Sequence, residues 1–279
     1  MRGVKIIVLC GGFGNILLQI HFGKYVEQIF GTSVRFNTTF VADKLVASVS
    51  QLLEEPINEK LAKPFKITLR HRVWLALLRR AKLLSIFVEK DYDVFIERQC
   101  LSNAKCIIGY FQSFKYSAVP MLSEQKLAKA TSKANLKRIQ NLTHSDVVVH
   151  LRFGDYLDPV ASTFHGMIPR QYYTDSIKTH FPNSRIIIIS DDTGKAKTFF
   201  NNFRCDAVQI WSDERYSALD DFYFLTSARN IIISNSSFSF CAALQASRLR
   251  KTKVIAPKDW FLGRSIDINY RFPTDWYVQ

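Results

Sequence analysis

Residues 146–156 read Asp146-Val147-Val148-Val149-His150-Leu151-Arg152-Phe153-Gly154-Asp155-Tyr156. The valine run is too short and too evenly apolar for an amphipathic helix. It predicts a strand buried on both faces that stops in a polar turn. The pattern repeats toward the C-terminus. Arg185-Ile186-Ile187-Ile188-Ile189-Ser190 is stopped by Asp191-Asp192-Thr193-Gly194, and Ala207-Val208-Gln209-Ile210 is a shorter run. Asn230-Ile231-Ile232-Ile233-Ser234 follows a helix-like stretch, 218–228, and Lys253-Val254-Ile255-Ala256 precedes Pro257. Toward the N-terminus, Lys5 to Cys10 ends in Gly11-Gly12-Phe13-Gly14. Leu17, Leu18, Phe22, Val26 and Ile29 then keep helical spacing from Asn15 to Phe30, and Cys106 to Phe111 is another short strand. Strands alternating with helices predict an α/β chain with parallel sheets covered on both faces.

The 279 residues suit two domains, and a boundary near residue 145 separates 1–145 from 146–279. A lysine-rich, solvent-facing helix over 125–142 is expected to close the first half, and the tail from Ser265 to pack back across the halves. Composition is that of a globular protein, 47% hydrophobic and 22% charged. Cys10, Cys100, Cys106, Cys205 and Cys241 are an odd, scattered set that fits neither a disulfide framework nor a zinc site. The opening apolar run is too short for a signal peptide or a membrane span, so a cytoplasmic or peripheral enzyme is expected.

The formal net charge of +14 asks for an acidic partner. Between Lys60 and Lys90 stand nine Lys or Arg residues against one acid, Glu89. Within this stretch 73–84 reads as a helix with an apolar face and a basic edge, suited to an anionic membrane surface. A nucleic-acid-binding protein is the rival reading. It would need basic residues interleaved with exposed aromatics or a known binding module, and neither is found.

Ligands of parallel sheets collect at the carboxyl ends of strands, and four such ends here carry unusual residues expected to meet in one cleft. Gly12, Gly14 and Asn15 follow the first strand. They begin like a dinucleotide fingerprint, but Leu17 stands where the third glycine would be. His150, Arg152 and Asp155 form the second end, with Arg152 offering a planar fork to phosphate oxygens. Asp191 and Asp192 form the third and could cap a helix, bind a metal or accept from a guanine edge. Asn235, Ser236 and Ser237 form the fourth, at the start of an apolar helix where backbone N–H groups favour an anion. P-loop and G-x-S-x-G motifs are absent.

Taken together, these motifs resemble those of bacterial alpha-1,2-fucosyltransferases, in the same order. Gly11 to Asn15, Gly109-Tyr110-Phe111-Gln112-Ser113, His150 to Tyr156, Ser190-Asp191-Asp192, Asn235 to Ser239 and Ile255 to Phe261 carry the likeness. Phe153 stands where that family usually has a second arginine, and Ile16 where it has a glutamine. The resemblance implies a GT-B fold, two Rossmann-like domains facing a cleft, with the acceptor on the first and the donor on the second. It implies GDP-fucose as donor, no further cofactor and no metal. The acceptor would be a galactoside-type oligosaccharide or lipid-linked glycan. By the same resemblance Arg152 holds the β-phosphate, and His150 and an aspartate of the 191–192 pair hold ribose or guanine. A serine of the 235–237 loop holds phosphate, and Asn15 lies near donor and acceptor. Asp155 is the first candidate for the base, with His165 behind it.

Overall fold

The computed structural model describes residues 4–53, 85–90, 94–116, 122–154, 166–201, 203, 208–213 and 215–279. The chain divides into two compact units, 1–121 and 122–279.

Among the described residues unit 1 holds four parallel strands: β1 (Lys5–Val8), β2 (Val34–Asn37), β3 (Ile86–Val88) and β4 (Cys106–Ile108), in the order β2-β1-β4-β3. The first helix, Phe13–Phe30, begins two residues before its expected start and ends at Gly31, whose left-handed backbone (φ 59°) stops it. It packs Phe22 against Phe111 with ring centroids 3.7 Å apart, and against the edge of Tyr116 at 4.9 Å.

Among its described residues unit 2 holds six parallel strands: β5 (Val147–Leu151), β6 (Ile186–Ser190), β7 (Val208–Ile210), β8 (Asn230–Ile232), β9 (Lys253–Ala256) and β10 (Tyr277–Val278). Their order is β10-β9-β8-β5-β6-β7. All residues of β5 and β6 are buried, as their unbroken apolar runs require. On one face Val147, Val149, Leu151 and Phe153 pack with Tyr173 and Ile177 of helix Arg170–His180 and with Ala196 and Phe200 of helix Thr193–Phe200. The other face carries His150, whose ring lies 5.5 Å from Phe238 of helix Ser237–Leu249. Phe238 in turn meets Phe222 of helix Ala218–Ser227 at 5.7 Å. Each fully buried Ile or Val contributes about 1.5–3 kcal/mol through area removed from water.

The boundary expected near 145 falls inside unit 2, and the lysine-rich segment belongs to that unit. It forms two helices, Glu124–Ala130 and Lys133–Gln140, capped by Ser123 and Ser132. Their docking is polar. Asp220 accepts from the Thr131 hydroxyl (2.6 Å) and the Ser132 N–H (2.7 Å), and Asn135 donates to the Asp220 carbonyl (2.8 Å). Arg138 pairs with Asp221 at 2.8 Å and lies over the rings of Tyr216 and Phe224. A helix buried through Asn135 and Arg138 has no apolar stripe to betray it, so the sequence reads as solvent-facing. The tail also joins unit 2: β10 pairs with β9, and Phe272 and Trp276 pack on Phe240. None of the described cysteines forms a disulfide. Among the described residues no helix is long and apolar enough to cross a membrane. The basic helix expected over 73–84 lies outside the described residues.

Candidate functional site

In unit 2 the chain runs from β5 through β6 to β7 on one side and from β8 through β9 to β10 on the other. The strand order therefore reverses between β5 and β8, the place where open parallel sheets bind ligands. Three of the four marked strand ends lie around it.

Arg152 leaves the end of β5, and its Nη1 meets Asp191 Oδ2 at 2.8 Å. Asp191, at the end of β6, also accepts from the backbone N–H groups of Phe153 and Gly154, each at 2.9 Å. One carboxylate thus fixes the turn and the base of the arginine fork together. Both side chains keep solvent contact, 33% for Arg152 and 24% for Asp191. Gly154 makes this approach possible, since a Cβ there would stand 2.5 Å from Asp191 Oδ2. Asp192 does something else. Its side chain caps helix Thr193–Phe200 through the Lys195 N–H at 2.9 Å and pairs with Lys195 Nζ at 2.7 Å.

His150 bridges the reversal itself, with Nδ1 2.9 Å from the Ser234 hydroxyl just beyond β8. It is buried, and loss of water contact pushes its pKa down to about 3, against a smaller opposing pull from Asp191. The ring is therefore neutral near pH 7. Asn235 donates to the carbonyls of Gly166 (3.1 Å) and Trp260 (3.2 Å), so its amide staples two loops. Ser236 stands at the cap position of helix Ser237–Leu249 without a side-chain capping bond. The first turn of this 13-residue helix contains no acidic residue, so its N–H groups present the positive end of the helix dipole.

The remaining end belongs to unit 1, where the order reverses between β1 and β4. Gly12 caps helix Phe13–Phe30 with extended backbone, and Asn15 Oδ1 accepts from Gln112 Nε2 at 2.9 Å. The conformational demand falls on Gly11 (φ 81°) rather than on Gly12. Sequence reasoning missed three further groups here. Gln19, fully buried, accepts from the Cys10 N–H (3.0 Å) and donates to the Gly109 carbonyl (2.8 Å), tying β1 to β4. Glu89, also buried, accepts from the N–H groups of Tyr110 (2.5 Å) and Phe111 (3.0 Å). Phe111 takes a left-handed backbone (φ 51°), uncommon for a non-glycine residue. Only a glutamine inside an apolar helix and a lone acid in a basic stretch could have signalled them.

Asp155 and His165 lie outside the described residues. Among the described residues no three His, Cys, Asp or Glu side chains cluster as metal ligands would. Phe153 and Ile16, which replace residues usual in the fucosyltransferases, are both buried core positions.

Two parallel sheets, each with its marked residues at the reversal of strand order, define a Rossmann-like α/β protein of two units. Within that class the chain belongs to glycosyl transferase family 11, whose family model matches residues 16–276. It is similar to the O-antigen biosynthesis glycosyltransferase WbnK of Escherichia coli, 29% identical over 59% of this chain and 58% of that protein. It is equally similar to an alpha-1,2-colitosyltransferase of Escherichia coli, 29% identical over 61% of this chain and 60% of that one. The matched region spans about three fifths of the length of these curated relatives. Among solved structures, E. coli heptosyltransferase WaaC with ADP aligns over 99% of this chain and 92% of its own, at 13% identity and TM-score 0.45. Fucosyltransferase NodZ from Bradyrhizobium aligns over 87% and 92%, at 15% identity and TM-score 0.45.

Proposed function

We propose that this chain is an inverting glycosyltransferase of GT-B architecture that moves L-fucose from GDP-fucose to a galactoside-type hydroxyl in surface-glycan assembly. The observation that carries this reading is Arg152, held by Asp191 beside the strand-order reversal of unit 2. Membership of family 11 supports the reaction class. The relatives named for O-antigen biosynthesis and alpha-1,2-colitosyl transfer support a bacterial glycan acceptor and an O2 linkage. Colitose, the sugar in the second relative's name, is the alternative for the moiety transferred.

The reaction is one in-line displacement at the anomeric carbon. The bond to the β-phosphate oxygen breaks as the acceptor oxygen bonds to carbon, and the acceptor proton passes to a base. Negative charge grows on the departing diphosphate, where Arg152 and the start of helix Ser237–Leu249 stabilise it. His150, neutral and oriented through Nδ1, offers Nε2 to ribose or base. Asp191 both aims Arg152 and takes part in the guanine end. Asp155, three residues beyond Arg152, is the first residue to test as the base. The acceptor is assigned to unit 1, around Asn15 and Gln112. With Asp191 engaged by Arg152 and Asp192 by Lys195, the diphosphate is neutralised by the protein's own cations and needs no metal.

Thermal shift against GDP, UDP and ADP tests the donor, because a ligand at 100 times its Kd stabilises the fold by about 2.7 kcal/mol. Equal shifts for GDP and UDP would remove the guanine assignment. Turnover should survive EDTA, and a loss restored by manganese would favour a metal-dependent transferase. The basic stretch 60–90 is proposed to hold the enzyme at an anionic membrane surface. Arg79→Gln with Arg80→Gln and Lys82→Gln should then weaken liposome co-sedimentation while sparing a soluble acceptor.

A further inference from the structure

The amino ends of β8, β9 and β10 share the edge of the unit 2 sheet opposite Arg152 and Ser234. A cavity of about 740 Å³ opens there, between those strand starts and the end of helix Ser237–Leu249. Arg229, Arg248, Arg250, Lys251 and Lys253 line it against a single carboxylate, Asp275. The strand length of β5 sets this edge roughly 15 Å from the donor end, so one ligand group cannot occupy both.

Some of these cations have structural work. Arg250 pairs with Glu124, and Lys253 lies 4.8 Å from the ring of Phe181 and 5.1 Å from that of Tyr277. The helix end contributes carbonyls that a basic last turn complements, worth about half a unit of negative charge. That accounts for one cation and not for five. Arg229, half-buried, and Lys251, exposed, form no ion pair among the described residues. Like charges gathered around one concavity repel each other, and a bound anion relieves that repulsion. The volume lies in the range of sites for small organic ligands, about 300–1,000 Å³, and exceeds what one inorganic phosphate fills.

We propose that this cavity is a second anion site, taking a diphosphate or phosphate-ester group distinct from the donor nucleotide. Arg229 and Lys251 supply the charge that the fold itself leaves uncommitted, and Arg248, Arg250 and Lys253 complete the field. The group could arrive on a soluble molecule or as a lipid headgroup, and the chemistry recognised is the same. The site does not depend on the identity of the donor.

The test uses the full chain with Arg152→Ala, which removes the arginine of the donor end, and titrates inorganic pyrophosphate by calorimetry. Arg229→Gln with Lys251→Gln should then weaken pyrophosphate binding about tenfold or more, the order expected for losing two cations beside an anionic group. Lys178→Gln, an exposed lysine outside the cavity, makes a like charge change and should alter binding less than twofold. Lys251→Glu alone, at an exposed position, keeps the test open if the double variant folds poorly. Vesicles containing phosphatidylglycerol form the second arm, with phosphatidylcholine vesicles as control. Co-sedimentation lost with the same substitutions identifies a lipid headgroup. A response confined to pyrophosphate identifies a soluble ligand. Unchanged binding in both arms, or an equal effect from Lys178→Gln, overturns the proposal.

Discussion

In unit 1 Glu89, just past β3, takes the backbone N–H groups of Tyr110 and Phe111. In unit 2 Asp191, just past β6, takes those of Phe153 and Gly154. Each carboxylate stands at the end of one strand and clamps the turn leaving its neighbour. A glycine sits tight against each: a Cβ on Gly109 would lie 2.5 Å from Glu89 Cβ, and one on Gly154 the same distance from Asp191 Oδ2. The difference lies in the residue before the two clamped N–H groups, Gly109 in one turn and Arg152 in the other. Glu89 is buried, whereas Asp191 keeps a quarter of its side chain in solvent. The clamp is thus a way of building a strand-end turn, and the cation is what unit 2 adds to it. A carboxylate at a strand end is therefore not by itself a sign of ligand contact.

Arg152→Ala is the change that breaks the comparison most directly, because it gives the unit 2 turn the neutral character of its counterpart. Removing a preorganised donor from developing charge costs roughly 3–4 kcal/mol, or about 100- to 1,000-fold in kcat. Arg152→Lys keeps the charge but loses the planar fork, so it should recover little. A folded Arg152→Ala enzyme keeping more than about a tenth of wild-type kcat would refute the role.

Exchanging the clamps sharpens it. Glu89→Ala leaves the buried Phe111 N–H without its acceptor, at a cost of about 1–3 kcal/mol. That loss should appear as a lower Tm with donor binding unchanged. Asp191→Ala removes one anchor of the Arg152 fork at a half-open site, so it should lower kcat about tenfold with a smaller change in Tm. If the two variants behaved alike in both assays, the distinction between structural and functional clamp would be lost.

His150 separates the units by pH. Its folded pKa of about 3 lies below the usual 6.5, so between these values the unfolded chain binds the extra proton. The stability it contributes is complete above about 6.5 and falls as pH drops toward 3, by up to about 1.4 kcal/mol per unit. Melting followed from pH 8 to pH 5 should show this acid loss in wild type and a shallower one in His150→Gln. A parallel decline in both proteins would mean that the buried neutral ring is not the source.

The central strands were legible because burial on both faces leaves unbroken Ile and Val runs, as in 147–151 and 186–190. Expected and observed strand limits there differ by one residue at most. Three edge strands were not, although the short edge strand Val208–Ile210 was. Val34–Asn37, Ile86–Val88 and Tyr277–Val278 are too brief for their pattern to stand out, and pairing with a neighbour decides them. At the candidate site, Arg152 and His150 were visible because a charged and a polar residue end an apolar strand. Asp191 as the partner of Arg152 was not, since 39 residues of chain separate them and only the β5–β6 pairing brings them together. Asp192 stood open between helix cap, metal ligand and guanine contact, and its side chain takes the cap, while the Asn235 amide holds two loop carbonyls. Residue type at a strand end signals chemistry; only geometry says which neighbour already uses it.

The smallest effect tests the unit 1 side. Gln112 donates to Asn15 across the β1–β4 reversal, a neutral pair where unit 2 sets an ion pair. A neutral hydrogen bond of this kind contributes about 0.5–1.5 kcal/mol net. If unit 1 takes the acceptor, an amide network suits a sugar's hydroxyl groups, which need both donors and acceptors and carry no charge. Gln112→Leu removes the donor at similar volume and leaves Asn15 less firmly placed. Acceptor KM should rise about three- to tenfold, donor KM should stay within twofold, and kcat should change little, because binding is lost equally in ground and transition states. Asn15→Ala in the same background should add less than it does alone, as expected for two residues sharing one bond. A rise in donor KM instead of acceptor KM would place the nucleotide at the neutral reversal and undo the division of labour between the two sheets.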